Sequence, residues 1–256
     1  MLAVASRPFR PRIALRATAR RGTAMNERNY HAVIFDLDGT LLNTLDDLAN
    51  AANVALHSAG YPQHPAAAYR QFVGNGLRML VRRALPAGEA DRLGPEGFEA
   101  LVERTGDNYA RDWAVTTRPY PHIPELLREL RRRGIPLAVV TNKPHGWTLR
   151  MLEHYFPDAP FRFIQGALPD LPHKPDPTGA LKAARHLGIV PGKTVFVGDS
   201  NVDMLTARNA GMAAVGVDWG FRGAKELQES GADEILYDPL ELLHFFEEGT
   251  HQQFRP

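Results

Sequence analysis

The chain has 256 residues, 44% of them hydrophobic and 23% charged, which is length and apolar content enough for one large domain or a domain with an insertion. It has no cysteine, which excludes disulfides, thiolate metal sites and a thiol nucleophile, and fits a reducing, cytoplasmic location. The formal net charge of +1 hides an asymmetry: six of the 30 Lys and Arg residues stand in the first 24 positions, which hold no acid, so the remainder sets 24 cations against 29 acids.

Those six are Arg7, Arg10, Arg12, Arg16, Arg20 and Arg21. Residues 1–24 therefore read as a basic leader, resembling a transit segment or lying ahead of a start at Met25, and the second reading is favoured. The run Val33-Ile34-Phe35 then predicts a buried strand over 32–35. Where it ends, Asp36 and Asp38 stand one residue apart and Gly39 lets the chain turn. Asp-Leu-Asp-Gly is also ordinary turn chemistry. Ionised carboxylates are costly to bury unless paired or bound to metal, so a pair at the carboxyl end of a central strand points to a binding crevice.

About 95 residues separate this strand from the next, far more than a crossover needs. The gap carries three apolar stripes at helical spacing: Leu45, Leu48, Ala49, Ala52 and Leu56; Leu77, Leu80, Val81, Ala84 and Leu85; Phe98, Leu101, Val102, Thr105 and Tyr109. Pro62, Pro65, Pro86 and Pro95 are expected to break them apart. The division is therefore a core of 25–45 and 117–248, a helical cap of 46–116 and a tail of 249–256. A cap that emerges beside two carboxylates can close over a substrate.

Further strands are predicted at 136–140, 161–165, 194–197 and 213–217, alternating with helical segments such as Ile123, Leu126, Leu127 and Leu130. That alternation predicts an α/β fold with a doubly wound parallel-sheet, Rossmann-like core. Three more polar signals stand at strand ends. Thr141 and Asn142 can aim a hydroxyl and an amide at an anion, or simply start a helix. Lys174, ahead of Pro175 and Pro177, reads as a held point charge or as a solvated loop lysine. Asp199 follows Gly198, and Asp203 lies one helical turn on, where it or Ser200 also suits an N-terminal cap. Hard oxygen donors too few for a calcium cage suit Mg²⁺.

With these four signals in order, the chain resembles the haloacid dehalogenase-like hydrolase superfamily: Asp36-Leu37-Asp38-Gly39-Thr40, Thr141-Asn142, Lys174-Pro175, and Gly198-Asp199 through Asp203. Val73-Gly74-Asn75-Gly76, Thr141-Asn142-Lys143-Pro144 and Trp219-Gly220-Phe221-Arg222-Gly223 make it most similar to the phosphoglycolate phosphatases of that family. The resemblance implies an Mg²⁺-dependent phosphomonoester hydrolase with Asp36 as nucleophile and Asp38 as acid and base. Thr141, Asn142 and Lys174 would bind the phosphoryl group. Asp36, the main-chain carbonyl of Asp38, Asp199 and Asp203 would hold the metal. Like charges at Asp36 and Asp199 would raise the Asp38 pKa, and the metal would oppose that.

The leaving group is expected to meet the cap at Gly74, Asn75, Gly76 and Arg83, while Arg78 and Arg82 suit a solvated helix face. The partner is a small phosphorylated metabolite, with 2-phosphoglycolate favoured over a sugar, nucleotide or cofactor phosphate. Phosphoglucomutase-like transfer stays open, and so does a homo-oligomer. A catalytically silent binding protein on the same fold would have lost a nucleophile or metal carboxylate, and none is lost. The acidic body lacks the basic stripe of a nucleic-acid module. No apolar run approaches the roughly 18–20 residues that span a bilayer, so neither nucleic acid nor membrane is expected as a partner. His145 and His173 read as surface or supporting residues, and the histidines lack zinc spacing.

Overall fold

The computed structural model describes residues 29–246, so the expected leader and the tail from 249 lie outside the described residues. The first strand, β1 (Ala32–Phe35), is fully buried, and its side chains divide by parity. Val33 and Phe35 enter one apolar layer, while Ala32 and Ile34 enter the other. That is the period-2 signature of a strand covered on both faces, and each fully buried Val, Ile or Phe contributes about 1.5–3 kcal/mol.

After β1 the chain folds back on itself, with the N–H groups of Thr40, Leu41 and Leu42 all directed at the Leu37 carbonyl. A two-residue strand, β2 (Leu42–Asn43), leads into five helices: α1 (Leu45–Ser58), α2 (Ala66–Phe72), α3 (Leu77–Ala84), α4 (Glu89–Arg92) and α5 (Gly94–Asp112). The three apolar stripes fall on α1, α3 and α5. Helices α2 and α4 are too short to carry a stripe. Pro95, expected as a breaker, is instead the second residue of α5, where its missing N–H costs nothing. The chain returns through β3 (Arg118–Pro119), antiparallel to β2. Beside this stem, buried Asp47 of α1 accepts from the N–H and hydroxyl of both Thr116 and Thr117 at 2.5–2.9 Å. One carboxylate thus ties the entry of the helical insertion to its exit.

Beyond it the chain alternates: α6 (Ile123–Arg132), β4 (Leu137–Pro144), α7 (His145–Tyr155), β5 (Phe161–Ala167), α8 (Thr178–Leu187), β6 (Thr194–Gly198), α9 (Asn201–Ala210), β7 (Ala213–Val217), α10 (Ala224–Glu229) and β8 (Glu234–Leu236). Among the described residues the main sheet has six strands in the order β5-β4-β1-β6-β7-β8, every adjacent pair parallel. Helices α6 and α7 cover the face of Val33 and Phe35, while α8, α9 and α10 cover the other. This is a doubly wound α/β fold. Strand order reverses at β1, so the carboxyl ends of β1, β4 and β6 open onto one crevice. No helix among the described residues is long and apolar enough to cross a membrane.

Candidate active site

Asp36 follows β1 directly and its N–H is held by the Val197 carbonyl of β6 at 2.9 Å. Lys174, from the loop before α8, brings Nζ to 2.9 Å from Asp36 Oδ1 and 2.6 Å from Asp203 Oδ1. The contact with Asp36 is an ion pair without hydrogen-bond alignment, and Asp36 Oδ1 is buried with no hydrogen-bond partner. Burial drives the Asp36 pKa up, against the pull of Lys174, and it settles at about 6. Burial tends to discharge Lys174 as well, but Asp203 and Asp36 outweigh it and keep the ammonium charged.

Asp199, after β6, is also buried, and its Oδ2 accepts from the Phe221 N–H at 2.7 Å. Burial, then the charges of Asp203 and Asp36, raise its pKa well above the carboxylate range. Backbone closes on it from two sides. A Cβ on Gly39, where φ is +84°, would stand 2.2 Å from Asp199 Oδ2, and one on Gly220 would stand 2.2 Å from its Cβ. Only glycine at both positions leaves room for this carboxylate.

Asp203 does cap α9. Its Oδ2 accepts from Ser200 N–H at 3.1 Å and from Ser200 Oγ at 2.6 Å, while Oδ1 takes Lys174. Asp36, Asp199 and Asp203 each offer one oxygen within 4.8 Å of the others. Three buried carboxylates facing a single lysine form a site short of positive charge. The donor set fits a hard divalent cation.

Asp38 is tied differently. Thr44, at the N-terminus of α1, donates its hydroxyl to Asp38 Oδ1 at 2.8 Å and accepts no capping bond from the helix it precedes. Lys143 Nζ donates to Oδ1 at 3.1 Å and lies 3.2 Å from Oδ2. The expectation that like charges and a metal alone govern Asp38 therefore omits its nearest charge, a buried ammonium.

Asn142 lies in the crevice, but its amide is spent on the frame. Oδ1 accepts from Lys174 N–H at 2.8 Å, and Nδ2 donates to the carbonyls of Lys174 and Gly74, each at 3.1 Å. Its side chain holds the lysine loop and reaches the helical insertion. Thr141 is buried alongside Asp36.

A family model described as haloacid dehalogenase-like hydrolase matches residues 33–217. This chain belongs to that family. It is 35% identical over 212 residues to phosphoglycolate phosphatase 1 of Pseudomonas aeruginosa, covering 82% of this chain and 78% of that one. It is 36% identical over 219 residues to the phosphoglycolate phosphatase of Mannheimia succiniciproducens, covering 84% and 97%. The crystal structure of a predicted phosphoglycolate phosphatase from Haemophilus somnus superposes with a TM-score of 0.76 at 32% identity, covering 87% and 98%. Within the family the chain is a phosphatase.

The hydrolase roofs its crevice with the insertion. Val73, Gly74, Gly76, Leu77 and Leu80 line the chamber above Asp36 and Asp38, with Tyr109 of α5 and Trp147 of α7. Asn75 and Arg83 do not line it. Arg83 donates to Asn75 Oδ1 at 2.7 Å and to the Phe72 carbonyl at 3.1 Å, so these two side chains brace the cap loop. Arg78 and Arg82 lie over the Phe98 ring and pair with Glu99 and Asp91 on the exposed face. His145 accepts from the Gly166 N–H. Neither it nor His173 reaches the chamber.

Three chamber residues had no role in the sequence reading. Lys143 reads as a loop lysine before a proline, and Tyr109 as one member of an apolar stripe. Arg222 stands in the Trp219–Gly223 run. The structure turns it onto the insertion, where it donates to the Val73 carbonyl at 3.1 Å and to the Gln71 side chain.

Proposed function

We propose that this phosphatase hydrolyses 2-phosphoglycolate to glycolate and phosphate through an aspartyl-phosphate on Asp36, with Mg²⁺ as cofactor. The observation that carries the mechanism is the pairing of a buried, metal-type carboxylate site at Asp36 with a separately anchored carboxyl at Asp38 in one chamber. An Asp36 oxygen attacks phosphorus as the bond to the leaving oxygen breaks. Lys174 and the Thr141–Asn142 turn hold the equatorial oxygens where charge accumulates. Asp38 passes its proton to the departing alkoxide, then takes one from the water that attacks the acylphosphate at phosphorus, restoring both aspartates. Asp36, the Asp38 carbonyl, Asp199 and Asp203 would hold Mg²⁺, which supplies charge neutralisation at the phosphoryl group. The helical insertion serves as a cap that excludes bulk water from these steps.

The substrate rests on the relatives named above and on the cap loop. Gly74, Gly76 and Leu77 bring the N-terminus of α3 to the chamber, and unpaired helix N–H groups favour an anion such as the glycolate carboxylate. A small phosphorylated metabolite fits a cytoplasmic enzyme, since phosphomonoesters do not cross lipid unaided. The test is phosphate release with Mg²⁺ from a panel of phosphomonoesters, with Asp36→Asn as the blank. A kcat/KM for 2-phosphoglycolate at least tenfold above sugar, nucleotide and cofactor phosphates, about 1.4 kcal/mol of transition-state preference, is expected. A flat profile overturns the substrate, and activity surviving in Asp36→Asn overturns the nucleophile.

A further inference from the structure

Lys143 is a buried cation in a wall of the reaction chamber, its side chain only 4% exposed. An ammonium has three N–H donors and no acceptor, and in a dry site each needs a partner. Two of them face Asp38, at 3.1 Å from Oδ1 and 3.2 Å from Oδ2. The third goes to the Tyr109 hydroxyl at 3.0 Å, and the ammonium also sits 4.6 Å from the centre of that ring. Lys143 belongs to the end of β4 in the core, and Tyr109 to α5 of the insertion. Tyr109 is itself set, its ring edge-on to Trp147 with centroids 5.5 Å apart and its hydroxyl donating to Met151 Sδ at 3.7 Å.

The acid and base of the reaction is thus joined to a helix of the insertion through one lysine. Lys143 and Thr44 converge on the Asp38 carboxyl and define its plane. Lys143 keeps a full set of acceptors only while Tyr109 is in place. If α5 lifts away, the ammonium has an unpaired N–H and water becomes its best partner, which draws it off Asp38. We propose that Lys143 and Tyr109 are positioning residues that orient Asp38 for proton transfer only when the helical insertion is seated. The inference rests on Asp38 acting as acid and base, as argued above. A substrate that seats α5 would thereby assemble its own acid, and a molecule too large to admit closure would be bound without turnover.

Leaving-group dependence separates this from a packing role. An alkoxide needs a proton as its bond to phosphorus breaks, whereas p-nitrophenolate departs as a stable anion and gains little from an acid. Tyr109→Phe keeps the ring against Trp147 and removes the hydroxyl, with the acceptor for Lys143 and a weak bond to Met151 Sδ. The experiment measures kcat and KM with Mg²⁺ for p-nitrophenyl phosphate and for the alkyl phosphomonoester that the native enzyme turns over fastest. The alkyl-to-aryl ratio of kcat/KM, which reports only the steps up to the aspartyl-phosphate and so only the acid role, is expected to fall roughly tenfold in Tyr109→Phe, part of the 10²–10⁴ a positioned acid supplies. Lys143→Gln should lower the ratio further, and adding Tyr109→Phe to it should change nothing more, because Tyr109 acts only through Lys143. Parallel loss on both substrates, an unchanged ratio, or additive losses in the double variant would overturn the inference. A collapse of the same ratio in Asp38→Asn checks the underlying acid role of Asp38 independently, so the two failures are distinguishable.

Discussion

In the proposed mechanism Asp36 meets two opposed requirements: it must be ionised to attack phosphorus, yet burial beside Asp203 favours its protonated form. With no metal bound its pKa is pushed up to about 6, against about 3.9 for an unfolded Asp. A raised carboxylate pKa contributes stability that is fully present below the unfolded value and lost as pH rises through the folded one. The metal-free enzyme is therefore expected to lose stability as pH rises from about 4 through 6 on account of Asp36. Mg²⁺ should restore it above that range, by about 2.7 kcal/mol at a hundredfold excess over Kd. Thermal melts with and without Mg²⁺ at pH 5 and pH 7.5 check this, and the metal-induced rise should be larger at pH 7.5. Asp36, Asp38, Lys174 and Asp199 were singled out in the sequence because four polar signals in chain order match one family pattern, although each alone also suits a turn, a cap or a loop. Lys143 and Tyr109 were not. A lysine before a proline and a tyrosine in an apolar stripe have ordinary explanations, and only the fold brings the two together.

Among the polar ties that hold the helical insertion, Asp47 joins its entry to its exit. Burial would raise its pKa, but the hydroxyls and N–H groups of Thr116 and Thr117 more than offset that and lower it. Its stabilisation is present above the unfolded carboxylate value and lost as pH falls through the lowered one. Asp47→Ala leaves two backbone N–H groups without their acceptor, and is expected to cost about 3 kcal/mol, or roughly 6–12 °C in Tm. Differential scanning calorimetry of the two proteins at pH 7 measures it. A shift under about 2 °C would mean that the stem of β2 and β3 suffices without the clamp. The long helices of the insertion were readable because their apolar stripes are several turns long. The stem was not, since two-residue strands carry no period. Strand β8 escaped for a related reason, as Glu-Ile-Leu is too short to stand out from a loop.

For the molecule as a whole, strand and helix alternation announced a doubly wound layer, but not that β1 lies between β4 and β6. That order explains why motifs scattered from Asp36 to Asp203 converge: the neighbouring strands β4, β1 and β6 deliver their ends to one crevice, and the insertion closes it from above. Asn142 and Arg222 fasten that closure from the core by donating to the Gly74 and Val73 carbonyls, contacts that no local pattern foretells. The proposed mechanism, with a nucleophile on one carboxylate and an acid on another, implies two successive in-line displacements. The stereochemical course at phosphorus tests that most directly, using a phosphomonoester made chiral with oxygen isotopes and transfer to an alcohol acceptor. Two displacements through Asp36 predict net retention of configuration. Net inversion would mean direct attack by the acceptor on the substrate, and would contradict an aspartyl-phosphate on Asp36.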